Sequence, residues 1–279
     1  MKSDLRCIPC ITNQVMRSVL SAGGSLDQII AAGEKALHLL RHADLNLPPN
    51  ALTTRTLLPI LTSLKLNDPY QQLKEEELRI GLRIYPKLKE LVREAEDRLR
   101  MAGLIAATGN IIDIGAQQFY DIEKSVEEIG KKGFKIDNFD LFRKKLATPQ
   151  QILYILDNTG ELFFDRVLIE ELSGHEVIGV VKERPIHNDA TLKEARRAGI
   201  DRLITTGDGS LGIDWEKSGR EFLTAYESAD IVIGKGHANF ESLVDGRRDA
   251  FLILKAKCPV VAEKLGVEVG DLVFYYYQP

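Results

Sequence analysis

Leu153-Tyr-Ile-Leu-Asp157-Asn158-Thr-Gly160-Glu161 is the stretch that decides the fold. A short apolar run ends in Asp-Asn, a glycine breaks the chain, and an amphipathic segment follows at 162–172. The pattern predicts a buried strand, a tight turn and a helix, with a carboxylate and an amide at the carboxyl end of the strand. Open parallel sheets bind their ligands at that end. Adjacent Asp and Asn side chains offer two hard oxygen donors to a cation such as Mg²⁺ or Mn²⁺. Taken alone, the same residues suit an Asn-Thr-Gly turn with a helix-capping Asp.

Further apolar, β-rich runs follow at 177–181, 202–205, 231–233, 251–254 and 272–277. Helical patterns separate most of them, at 190–198, 216–228 and 240–244. Strands alternating with helices at this spacing predict βαβ units and a mostly parallel sheet. No Gly-x-Gly-x-x-Gly or Walker-type loop is present, so neither a dinucleotide nor a P-loop reading has a motif behind it. Upstream, residues 1–148 read as helix throughout, with apolar residues at three- and four-residue spacing in 25–40 and 50–66. The segment 70–101, rich in Glu, Lys, Arg and Leu, reads as helix that Pro86 could divide or kink, and 119–130 is amphipathic. The fold class is therefore α/β: a helical bundle domain at 1–148, then a Rossmann-like α/β/α domain at 149–279.

Composition narrows the function. The 279 residues are 44% hydrophobic and 28% charged, as in an ordinary globular protein. A net charge of −4 without a basic block argues against a nucleic-acid partner. No apolar run approaches the roughly 20 residues of a membrane span, and the first residues lack the apolar core of a secretory signal. Three cysteines make a disulfide framework improbable, which places the expectation in the cytoplasm. Nothing specifies an oligomeric state.

If the sheet is parallel, the segments after the strands share one rim. They are 157–161, 182–189 (Lys-Glu-Arg-Pro-Ile-His-Asn-Asp), 205–209, 234–239 (Gly-Lys-Gly-His-Ala-Asn) and 255–257. The segments before the strands are much poorer in polar groups. Asp189 precedes a helix start, where an N-cap role also explains it. Gly234-Lys235-Gly236 is either a flexible turn or a place where backbone N–H groups and an ammonium meet a phosphate. Lys255 ends an apolar strand, and its charge must reach solvent or an anion. Glu161 is either a charge favoured by the helix dipole or a carboxylate supporting a metal ligand.

These motifs also resemble a family. Asp157-Asn158-Thr-Gly-Glu161, Pro185-Ile-His-Asn188-Asp189-Ala-Thr191, Gly234-Lys-Gly-His-Ala-Asn239 and Leu254-Lys255-Ala-Lys-Cys258-Pro are similar to those of the damage-control phosphatases. Cys7-Ile-Pro-Cys10 with Gln14, and Gly109-Asn110-Ile-Ile-Asp113, resemble its small prokaryotic branch. The resemblance implies metal-dependent hydrolysis of phosphate monoesters, such as sugar phosphates or phosphopantetheine-related metabolites. It implies one divalent cation (Mg²⁺, Mn²⁺, Co²⁺ or Ni²⁺) held by Asp157, Asn158 and Asp189. Asn110, Lys235, Gly236, Asn239 and Lys255 would line the phosphate or substrate pocket, and His187 matches no role.

In that scheme Asp157 or Glu161 takes the proton of the attacking water, and Lys235 and Lys255 stabilise the phosphoryl oxygens. Cys7 and Cys10 are half of a four-ligand metal site, a redox pair, or two small apolar residues one helical turn apart. Two rival readings are an S-adenosylmethionine-dependent carboxyl methyltransferase and a non-catalytic module that binds a phosphorylated metabolite. Asp-Asn-Thr-Gly-Glu stands where a methyltransferase carries its glycine-rich loop, and it suits a cation better.

Overall fold

The computed structural model describes residues 1–109, 133–244 and 246–279. Asn110 and the amphipathic segment at 119–130 therefore lie outside the described residues. Helix α1 (Cys7–Ser21) buries Cys7, Ile11, Val15 and Val19, one residue per turn. Helix α2 (Leu26–Leu40) starts at a capping box in which Ser25 and Gln28 satisfy each other's backbone N–H groups. Helix α3 (Pro49–Ser63) begins with proline in its first turn, where no N–H is needed. These three helices pack on one another around Val15, Ala36, Leu57 and Ile60.

The stretch expected as helix over 70–101 is two helices, α4 (Gln71–Glu94) and α5 (Arg98–Thr108). Asp97 divides them, its side chain accepting the Arg100 N–H as the cap of α5. Pro86 sits inside α4 without ending it. The missing hydrogen bond would have gone to the carbonyl of Leu82, whose residue is exposed, so water can replace it.

A seven-stranded sheet follows in the order β1-β7-β6-β5-β2-β3-β4. Its strands are β1 (Ile136–Asp137), β2 (Gln151–Ile155), β3 (Glu176–Val181), β4 (Leu203–Thr205), β5 (Ile231–Lys235), β6 (Ala250–Lys255) and β7 (Leu272–Tyr277). Strands β2 to β6 are mutually parallel, whereas β7 runs antiparallel to β6 and β1 runs with β7. A strand at 136–137 lies inside the region read as helix throughout. It and α6 (Phe139–Lys145) precede the expected boundary at 148 yet pack with the sheet, Phe139 and Phe142 stacking on Phe274 and Phe251.

The connections are α7 (Leu162–Glu171) after a single 3₁₀ turn (Thr159–Glu161), α8 (Leu192–Arg197), α9 (Arg220–Ser228), α10 (Gly236–Leu243) and α11 (Pro259–Leu265). One face of the sheet shares a core with α4, α5 and α7, so Leu78, Ile84 and Ile105 lie in the same apolar cluster as Ile152, Ile233 and Phe251. The other face packs on α9, α10 and α11 through Phe222, Phe240 and Val261. From β2 the chain proceeds outward to β3 and β4, then returns to β5 on the opposite side of β2. The crevice between the carboxyl ends of β2 and β5 is thus the topological switch point, where open α/β sheets place their ligands.

Candidate active site

Asp157 and Gly236 meet in that crevice. Gly236 has φ +75°, and a Cβ built on it would lie 1.8 Å from Asp157 Oδ2. Only glycine fits there, both for its left-handed backbone and for the carboxylate beside it. Asn239, one turn further along α10, holds the two strand ends together. Its amide donates to the carbonyls of Leu156 and Lys235 at 2.9 and 2.8 Å.

The second acidic loop is knit to the first by backbone. Asn158 pairs with Asp189 in an isolated antiparallel bridge, Thr159 N–H donates to the Asn188 carbonyl at 2.8 Å, and Ala190 N–H to that of Asp157 at 2.9 Å. Asp157, Asn158 and Asp189 therefore stand together at one point of the rim. The Asn158 amide donates to Asp157 Oδ2 at 3.3 Å and to Glu161 Oε1 at 3.1 Å.

Below these groups lies a buried ion cluster. Lys235 Nζ donates to Asp165 Oδ1 at 2.6 Å and to Glu161 Oε2 at 3.0 Å, and the Tyr154 hydroxyl donates to the same Asp165 oxygen at 2.9 Å. Burial opposes the charge on Lys235, but Asp165 and Glu161 outweigh it and hold its pKa above the usual lysine value. Burial pushes Asp165 up to about 6. Lys182 donates to the Gly212 carbonyl and lies 3.9 Å from Asp189 Oδ2. Burial lowers its pKa against the pull of Asp189, Asp157 and Asp208.

The donor set fits a cation. Asp189 Oδ2 is buried without a hydrogen-bond donor. Burial pushes Asp189 up to about 6, and burial with Glu161 and Asp189 drives Asp157 well above the usual carboxylate range. Six buried carboxylates (Glu77, Asp157, Glu161, Asp165, Asp189, Asp208) face the buried ammonium groups of Lys74, Lys182 and Lys235, an excess that a divalent ion would balance. Among the described residues no three His, Cys, Asp or Glu side chains form a metal-holding group, so the candidate set is two carboxylates and one amide. Cys7 is buried and accepts the Asp4 N–H at 3.5 Å, while Cys10 is exposed and takes the Gln14 amide at 3.4 Å.

The remaining sequence candidates fall as follows. Glu161 is tied to Lys235 and Asn158 through its two oxygens. Lys255 ends β6, half-buried, with its carbonyl 3.0 Å from His237 Nε2. Asn110 is outside the described residues, although Gly109 before it lies against Glu161. His187, given no role, is half-buried at φ 45°. Sequence reasoning missed Tyr154, Asp165 and Glu77, and it placed Lys182 and Asp208 on the rim without giving either a role. Asp165 had one signal, a carboxylate directly after Phe163-Phe164 in a helix whose apolar face must be buried.

Comparison with known proteins agrees with this architecture. The family profile of the damage-control phosphatase ARMT1-like domain matches residues 3–273. An uncharacterized protein of Methanocaldococcus jannaschii is 43% identical over 74% of this chain and 73% of its own. A damage-control phosphatase of Archaeoglobus fulgidus is 32% identical over 98% of both chains. The crystal structure of a DUF89 family protein from Pyrococcus horikoshii superposes with a TM-score of 0.90 at 33% identity, covering 98% of each chain. The chain belongs to the damage-control phosphatase ARMT1-like family.

Proposed function

We propose that the chain is a metal-dependent phosphomonoesterase that hydrolyses a small phosphorylated metabolite at the carboxyl-end rim of its sheet. The observation that carries this reading is the meeting of Asp157, Asn158 and Asp189 with the Gly236 cradle at the switch point, above a buried excess of carboxylates. Two relatives named damage-control phosphatase support it.

Asp157, Asn158 and Asp189 would hold the divalent cation (Mg²⁺, Mn²⁺, Co²⁺ or Ni²⁺). When bound, the cation supplies positive charge to the phosphoryl oxygens and lowers the pKa of a water. Gly236 opens α10, whose first-turn N–H groups lack intrahelical partners and favour an anion. Lys255, at the end of the neighbouring strand β6, adds an ammonium to that side. Asp157 is the better proton acceptor of the two candidates, because Glu161 already accepts from Lys235 and Asn158. Lys235 and Asp165 keep Glu161 in place beneath it. The sugar-phosphate or phosphopantetheine-like class of substrate rests on the family resemblance.

Phosphate release from p-nitrophenyl phosphate and a sugar-phosphate panel, first in EDTA and then with each cation restored, tests the proposal. Turnover that returns with metal and disappears in Asp157→Ala is the expected result. A folded, metal-loaded protein that turns over nothing would refute it.

A further inference from the structure

Helix α4 belongs to the helical half of the chain, yet one of its stripes faces the two acidic loops. Tyr70, Lys74, Glu77 and Gly81 follow one another at spacings of four and three residues and so share a face. Lys74 and Glu77 are almost wholly buried on it. A Cβ on Gly81 would come within 2.3 Å of Phe163 Cδ2, so the helix lies directly on α7. The Tyr70 ring packs 5.5 Å from that of His187, two residues before Asp189.

Glu77 touches both loops. Its Oε1 accepts the Asn188 amide at 2.9 Å, its Oε2 is buried without a hydrogen-bond donor, and its side chain packs against Gly160. The fit over Gly160 is tight, since a Cβ there would stand 3.3 Å from Glu77 Cδ. Asn188 precedes the candidate ligand Asp189, and Gly160 follows the candidate ligand Asn158 by two residues. Burying a carboxylate is costly, and a space-filling role would be met more cheaply by a leucine or methionine. A carboxylate at this place instead accepts from the Asn188 amide of one loop while it packs on Gly160 of the other, and each loop carries candidate metal ligands.

We propose that Glu77 is a positioning residue that fixes the Asp157–Glu161 and Asn188–Asp189 loops against each other, setting the separation of the cation's ligands. The inference rests on reading the rim as a cation site, and it assigns to the helical half a part in assembling that site.

Calorimetric titration of the whole protein with Mn²⁺ alone tests it, alongside thermal unfolding in EDTA and p-nitrophenyl phosphate turnover. Supporting groups behind metal ligands are worth about 10- to 100-fold in affinity or activity. Glu77→Ala is expected to weaken Mn²⁺ binding by about that factor, and Glu77→Gln, which keeps one acceptor oxygen, by less. Asn188→Ala should weaken it too, and the Glu77/Asn188 double variant should lose less than the two single losses combined. If Glu77→Ala does not fold, Glu77→Gln and Asn188→Ala carry the comparison. Wild-type Mn²⁺ affinity in the variants, with only the unfolding temperature lowered, would reduce Glu77 to a structural residue and overturn the proposal. A wild-type protein that binds none of the four cations would overturn the cation reading itself, before any variant is compared.

Discussion

Replacing Gly236 by alanine separates the cost of a backbone conformation from the cost of a displaced catalytic group. At φ +75° an L-residue loses about 1–2 kcal/mol relative to glycine. The new methyl would stand 1.8 Å from Asp157 Oδ2 and 2.3 Å from its Cγ, where ordinary contacts begin at 3.4 Å. The carboxylate must therefore retreat by more than an ångström, and overpacking of this kind costs about 1–3 kcal/mol more. A displacement of about 1 Å at a reacting group can cost roughly 10²-fold in rate. Gly266 is the matched control, since it has φ +70° with nothing within 4 Å of its would-be Cβ. Gly266→Ala should lose only the conformational part, about 1 kcal/mol, and keep full activity. Urea denaturation gives the stability difference, and phosphate release at saturating metal gives the rate. Wild-type turnover in Gly236→Ala would refute the placement of Asp157 at the reacting centre.

Lys235→Met should destabilise the fold by about 3–5 kcal/mol, because Glu161 and Asp165 are left buried without their shared cation. Urea midpoints measure this, and adding Asp165→Asn should recover part of the loss; an unchanged midpoint in the single variant would show that the ion cluster stabilises nothing. Glu241 is pushed up to about 8 by burial, despite the Asn50 N–H and the chain's amino terminus, with Cys7 and Cys258 also nearby. Its folded pKa lies above the ordinary 4.5, so its stabilising contribution is complete below that pH and is lost as the pH rises through 8. Thermal unfolding from pH 5 to 9 should show that decline in the wild type and a flatter profile in Glu241→Gln; parallel profiles would remove Glu241 as the cause. A cation bound only by the folded state should raise stability by about 2.7 kcal/mol at a hundredfold excess over its Kd, read as a melting shift absent in Asp189→Asn.

The sheet was legible because its strands are short apolar runs punctuated by polar turns, and periodicity reports such runs directly. Strand β1 was not, since two residues carry no period and their pairing with β7 is set from 137 positions away. The direction of β7 was equally hidden, for an apolar run reads the same in either sense. The break at Ala95-Glu96-Asp97 lay within a charged, helix-favouring stretch, and only the cap at Asp97 marked it. Asp157, Asn158 and Asp189 stood out as candidates because they end strands or start helices. Glu77 was missed for the opposite reason: in Gln-Leu-Lys-Glu-Glu-Glu-Leu-Arg a glutamate reads as part of a solvated face. Its burial comes from docking on loops more than 80 residues away, which no local pattern encodes.

That docking explains why the rim holds so many buried carboxylates without coming apart. Their supports are spread over the site: Asp165 and Glu161 share Lys235, Asp189 lies near Lys182, and Glu77 takes the Asn188 amide. Asp157 accepts the Asn158 amide at 3.3 Å, and it stands where β2 and β5 part. Burial, with repulsion from Glu161 and Asp189, opposes the charge of Asp157 beside the crevice, and a cation bound there would relieve it. On the proposed reading, the same imbalance that makes Asp157 hard to ionise in the bare fold would direct a divalent ion to it and tie the stability of the rim to the occupancy of the site.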